Sequence, residues 1–148
     1  MSEGVALGRD AGATKGWAVA AVASGGAIGS LGRWLVALAA GGTEWGTLVV
    51  NVSGAFALGL IAVWLEAGVR HPLARPFLSV GLLGGWTTYS TFALDAHALA
   101  SSGLLGLLGY LAATLALGIG AATVGLVVGD RIWAGHVGSD GPAAEGEL

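Results

Sequence analysis

Apolar residues along this chain gather into four long runs, and the polar positions inside those runs are few enough to name. A helix needs about 20 mainly apolar residues to cross the hydrocarbon core of a bilayer. The first run covers residues 17–40, and its only charge is Arg33; the second covers 45–65 and carries Asn51 and Ser53. The third, 76–99, contains the polar stretch Gly84-Gly85-Trp86-Thr87-Thr88-Tyr89-Ser90-Thr91-Phe92 and then Asp95. The fourth, 103–129, contains Tyr110, Thr114 and Thr123. Connections at 41–44, 66–75 and 100–102 are short, so consecutive spans should be antiparallel neighbours. The pattern predicts an all-α membrane protein of four transmembrane helices, with one membrane domain over 16–131. A polar tail, 1–15, precedes it, and a Gly-, Pro- and acid-rich tail, 132–148, reads as disordered.

Composition agrees. Hydrophobic residues make up 55% of the 148 and charged residues only 10%, which excludes an ordinary soluble domain. The 28 glycines suit close helix packing in lipid. Cysteine is absent, so disulfides and thiolate metal sites are excluded. Of the three histidines, His71 and His136 fall in a predicted loop and tail, which argues against a histidine metal centre. No Lys/Arg cluster exists to neutralise phosphates, so a nucleic-acid partner is not expected. The first apolar run is too long for a cleavable signal peptide.

Charge also predicts orientation. Arg9 and Lys15 precede the first span, Arg70 and Arg75 lie in the second loop, and Arg131 follows the fourth span. The first and third loops hold no Lys or Arg. By the positive-inside rule both termini are cytoplasmic. Trp17, Trp34, Trp45, Trp64 and Trp133 stand near span ends, as interfacial belts require, whereas Trp86 does not. Spans one–two and three–four share no motif, so an inverted repeat within one chain is not supported.

The polar stretch of the third span is the strongest functional signal. Lipid offers polar groups no partner, so such a cluster must face protein, water or an ion. Two adjacent glycines weaken a helix interior by roughly 1 kcal/mol each relative to Ala. One reading is an unwound turn near the middle of the span, whose freed carbonyls at Gly84 and Thr87 face a cation, since hard cations prefer oxygen ligands. The other is that Gly84-Gly85 merely permits a close helix crossing, with threonines bonding back to their own helix. Tyr89 and Phe92 share a helix face, and their ring edges carry partial positive charge that could host a small anion; simple packing is the alternative. Thr88, Ser90 and Thr91 add hydroxyls, which donate to an anion as readily as they accept. Tyr110 and Thr114 form an i,i+4 polar pair on the fourth span. Asn51 could donate to an anion or brace a neighbouring helix, because a buried amide needs a partner. Arg33 could snorkel to the interface or form a positive vestibule, and Asp95 could cap, pair with Arg33 or line a pore mouth.

Three blocks of the chain resemble the Fluc (CrcB-type) fluoride channels. GGAIGSLGRW is similar to that family's first-helix glycine motif, WGTLVVNVSGAFALG to its second-helix motif and GLLGGWTTYSTFALD to its third-helix signature. The resemblance implies an antiparallel, dual-topology-type dimer of four-helix subunits with a broken third helix, two parallel anion pathways and passive export of cytoplasmic fluoride across the cell membrane, giving fluoride resistance. It implies a structural, untransported sodium ion at the dimer centre, bound by carbonyls of Gly84 and Thr87. Asn51, Tyr89 and Phe92 would line the pore, and Thr88, Ser90, Thr91, Tyr110 and Thr114 would be candidates for a polar track, with Arg33 at the vestibule. No enzyme activity is expected.

The chain departs from that pattern at several places. Tyr89 stands where the family usually has Phe, Trp86 puts a large ring beside the sodium carbonyls, and Ser30, Trp34 and Asp95 replace Ala, Tyr and Glu. Gly118 and Ala122 shorten the polar stripe of the fourth span. The strong charge bias suggests one half of an antiparallel heterodimer with an oppositely oriented paralogue, in which this subunit is partly degenerate or non-conducting. A small multidrug-resistance exporter is the rival of similar size. It needs a membrane-embedded carboxylate in its first span, and residues 17–40 contain none.

Overall fold

The computed structural model describes residues 3–68 and 71–133, and every regular element among them is helical. Residues 1 and 2, Arg70 and the expected C-terminal tail from residue 134 onward lie outside the described residues. Helix α1 runs Glu3–Ala39 and α2 runs Glu44–Glu66. The third apolar run holds a π-helix, Pro76–Leu83, one helical turn, α3 (Gly84–Trp86), and then α4 (Ser90–Ser102). Helix α5 covers Leu104–Trp133.

Three stretches are long and apolar enough to cross a membrane on their own: Lys15–Ala39, Glu44–Glu66 and Leu104–Trp133. The third run is not among them because its helix is interrupted. Helix α1 also starts earlier than the apolar pattern suggests. No proline stands between Glu3 and Ala39, so the polar segment ahead of Trp17 continues the helix.

Helix ends follow the glycines. Gly41 and Gly42 have φ of 65° and 71°, and their amides bond Leu38 at 3.1 Å and Ala37 at 2.9 Å. That crossed pair closes the C-terminus of α1 through left-handed residues that only glycine adopts without strain. Gly103, with φ of 140°, turns the chain from α4 into α5.

Packing divides the helices into two glycine-lined pairs. Helix α1 lies on the π-helix and α3, and α2 lies on α5, while contacts between α1 and α2 are sparse. In the first pair a Cβ at Gly25 would come within 2.8 Å of the Leu82 amide, and one at Gly81 within 2.7 Å of the Val22 carbonyl. In the second, Gly59 faces the Ala122 carbonyl and Gly125 faces the Phe56 carbonyl and, at 3.0 Å, the Leu60 amide. Backbones this close leave no room for a side chain, as small-residue packing in lipid requires. Gly125→Leu should therefore force α2 and α5 apart, at the upper end of the ~1–3 kcal/mol that overpacking typically costs. Gly118→Ala on the same helix meets nothing within 4 Å and should be neutral. Thermal melting in detergent compares the two.

A candidate anion pathway at the helix break

The interruption falls two residues beyond the paired glycines. Gly84 is helical, with φ −64° and ψ −33°, and the chain leaves the helix only at Thr87, whose φ of −76° and ψ of 159° are extended. Gly85 serves the close crossing: a Cβ there would run into Gly26 and Ser30 of α1. The Gly-Gly pair thus sits next to the break and does not itself unwind.

Asn51 of α2 holds the break open. Its Oδ1 accepts from the Thr88 amide at 2.8 Å, and its Nδ2 donates to the Thr88 carbonyl at 2.9 Å. One side chain thereby satisfies both main-chain groups of a residue that has left its helix, and buried groups of that kind must find partners. Thr88 in turn restarts the helix, its Oγ1 accepting from the Thr91 amide at 3.2 Å as a capping hydroxyl does. The same oxygen donates to Thr91 Oγ1 at 3.1 Å and lies 3.3 Å from Ser90 Oγ.

These bonds have a consequence for the carbonyls. In a continuous helix the Thr88 amide would occupy the carbonyl of Gly84, and the Thr91 amide that of Thr87. Both amides are taken instead by side chains, so the oxygens of Gly84 and Thr87 lose those partners. Gly84 is also exposed, and a Cβ placed on it would meet nothing within 4 Å. Neutral carbonyl oxygens that have lost their helix partners are ligands of the kind a hard cation takes.

Around the break a cavity of about 530 Å³ is lined by Asn51, Gly84, Thr87, Thr88, Tyr89, Phe92 and Thr114 among others. The rings continue from it into the bundle: Tyr89 and Phe92 have centroids 6.0 Å apart at 45°, and Phe92 and Tyr110 5.5 Å apart at 30°. Tyr89 is 81% exposed, while Tyr110 is buried and donates its hydroxyl to Asp95 Oδ2 at 3.2 Å. Asp95 therefore meets Tyr110 and not Arg33. Thr123 bonds its own helix through the Ile119 carbonyl at 2.9 Å. Thr114 does not: its Oγ1 is buried without a partner among the described residues.

Arg33 lines a separate cavity of about 220 Å³ with Ser30, Thr47, Thr88 and Thr91. Its Nε is likewise buried without a partner among the described residues. Thr88 lines both cavities: Asn51, Tyr89, Phe92 and Thr114 share the larger one with it, Thr91 lies with Arg33 in the smaller one, and Ser90 and Tyr110 line neither. Sequence reasoning passed over Thr47, which is 5% exposed, and Ser53, which accepts from Trp86 Nε1 at 3.0 Å. Hydroxyls inside apolar runs were the available signal for both.

Comparison with known proteins fits this geometry. Residues 20–126 match the family described as CrcB-like protein, Camphor Resistance (CrcB). A protein of Nocardia farcinica named fluoride-specific ion channel FluC 2 is 46% identical over 115 residues, covering 74% of this chain and 79% of that protein. The fluoride-specific ion channel FluC of Agrobacterium fabrum is 42% identical over 122 residues, covering 78% of this chain and 98% of its own length. That of Paracoccus denitrificans is 43% identical over 119 residues, covering 76% and 94%. With the matched region running from the second half of α1 through most of α5 and including every residue of the break, this chain belongs to the CrcB-like family.

Proposed function

We propose that this chain is a fluoride-selective passive channel subunit that lets fluoride leave the cytoplasm. The observation that carries the reading is the convergence of amide, hydroxyl and ring-edge groups on one cavity at a helix break within an otherwise apolar bundle. Fluoride is small and tightly hydrated, so it crosses only where donors and positive ring edges stand in closely for water. Thr114, whose hydroxyl lacks a partner, is a donor of that kind. Nothing in the site calls for energy coupling, and flow down a gradient suffices for fluoride resistance.

The freed carbonyls of Gly84 and Thr87 would hold a structural sodium ion, which supplies fixed positive charge beside the break. An inverted second subunit facing Gly84 would bring a matching pair of carbonyls, and the uncovered surface there supports an antiparallel dimer. The Lys/Arg bias favours an oppositely oriented paralogue as that second subunit. A reporter fused to the C-terminus is then expected on the cytoplasmic face alone, and equal labelling of both faces would return a homodimer.

Rapid release of fluoride with retention of chloride from liposomes carrying the purified chain alone would make it a self-sufficient channel and the charge bias incidental. Silence that is relieved by co-reconstituting an inverted paralogue would assign the chain to one half of a heterodimer. Silence in both arrangements would remove the channel reading and leave the fold.

A further inference from the structure

Trp86 is the one tryptophan away from the span ends, and its surroundings are specific. Its ring lies between two glycines on different helices. A Cβ on Gly32 of α1 would come 2.8 Å from Cζ3 and 3.1 Å from Cε3, and a Cβ on Gly54 of α2 would come 3.1 Å from Cδ1. The indole Nε1 donates to Ser53 Oγ at 3.0 Å, the polar handle a membrane-embedded tryptophan needs. Ser53 donates its own O–H to the Val50 carbonyl at 3.2 Å, which leaves its lone pairs to accept.

The next step follows from chain connectivity. Ser53 anchors residue 86, and Asn51, adjacent to Val50, anchors residue 88. Thr87 is therefore pinned from both sides to one stretch of α2, and its methyl group rests against Gly54. Two anchors drawn that tightly toward α2 leave the residue between them no helical path, in keeping with its extended conformation. Because α1 and α2 otherwise touch sparsely, the indole is also the spacer that sets their separation beside the break.

We propose that Trp86 is a positioning residue of the pathway: wedged between Gly32 and Gly54 and tied to Ser53, it fixes the separation of α1 and α2 and thereby the placement of Thr87 and Thr88. The proposal rests on the channel reading, and it adds a residue that touches neither the anion cavity's rings nor its donors.

A cycle of Gly32→Ala, Trp86→Phe and the double variant tests it, read by fluoride efflux in the conducting assembly and by melting in detergent. The added methyl displaces the indole, so Gly32→Ala should lower efflux about tenfold, equivalent to 1.4 kcal/mol, and lower Tm by several degrees. Phe lacks the outer ring atoms that face Gly32. The double variant should therefore return to within about threefold of Trp86→Phe alone, with Tm recovering in parallel. Wild-type efflux in Gly32→Ala, or a Gly32→Ala defect that Trp86→Phe leaves untouched, would overturn the proposal. So would coupling in Tm with unchanged efflux, which would make the indole packing only. If the wild-type chain conducts no fluoride in any assembly, the channel reading fails, and the positioning role goes with it, while the melting cycle still reports whether the indole couples the helices.

Discussion

Asn51→Ala is expected to reduce fluoride efflux about 100-fold or more, the largest loss from any single substitution outside the aromatic rings. The side chain makes two hydrogen bonds to Thr88, at 2.8 Å and 2.9 Å, and the groups it serves belong to a residue outside any helix. Truncation leaves a main-chain donor and an acceptor without partners, at roughly 1–3 kcal/mol for each orphaned group. The chain can relieve this by letting the Thr88 amide return to the Gly84 carbonyl, which would rewind the break. Rewinding would withdraw the carbonyl proposed for the cation and rotate Tyr89 and Phe92 away from the cavity. A shift of about 2.8 kcal/mol in the competent population corresponds to 100-fold in flux. Asn51→Asp separates bracing from simple loss of bulk. It keeps an oxygen for the Thr88 amide, loses the donor to the Thr88 carbonyl and adds a negative charge beside an anion path, so it should be equally silent. Efflux within threefold of wild type in Asn51→Ala would show that the break stands without its brace.

The position of that brace marks the boundary of what a single sequence discloses. Three of the four expected spans were legible as single long helices, because spanning a bilayer is a local requirement met by length and apolar content alone. The existence of a break was legible too, since glycines and hydroxyls inside an apolar run violate that requirement. Its location was legible only in part: Gly84 and Thr87 were expected as the freed carbonyls, but the unwinding was placed at the glycine pair. Gly84 and Gly85 mark where a helix is intrinsically weak, yet Gly85 is used for contact with α1, and unwinding begins at Thr87. What decides the location is a pairing between Asn51 and Thr88, 37 positions apart, and no local propensity encodes a partner at that distance. Trp86 makes the same point: from sequence it was a bulky ring with no interfacial role, and its acceptor, Ser53, lies 33 positions away. For Asn51 the sequence left two uses open, donation to an anion or bracing of a helix. The structure shows the brace, which leaves one N–H of the amide free for the cavity. Tyr110 was expected as part of a polar track, and its hydroxyl is engaged with Asp95. Its ring lies beside that of Phe92, with centroids 5.5 Å apart.

Phe92→Leu is the second substitution expected to abolish efflux, and it isolates the role of the rings. Phe92 is the middle member of the series Tyr89, Phe92, Tyr110, with centroids 6.0 Å from the first and 5.5 Å from the last. Leucine keeps an apolar side chain of similar reach on α4, where no residue is fully buried, so folding should be nearly unaffected; volume-conserving swaps typically cost less than about 1.5 kcal/mol. It removes the quadrupole, however, and with it the positive edge that would face an anion. An anion that has shed water and meets methyl groups in place of ring edges keeps only the hydroxyl donors against a large desolvation penalty. Efflux should fall at least 100-fold, since 2.8 kcal/mol of lost stabilisation is enough, while the melting temperature stays near wild type. Tyr89→Phe is the matching control: it deletes only a hydroxyl on a residue that is 81% exposed and keeps the ring, so efflux should stay within about threefold of wild type. Were Phe92→Leu to conduct normally with chloride still excluded, the edges would have no part in selection, and the hydroxyls of Thr88 and Thr114 would have to carry it alone.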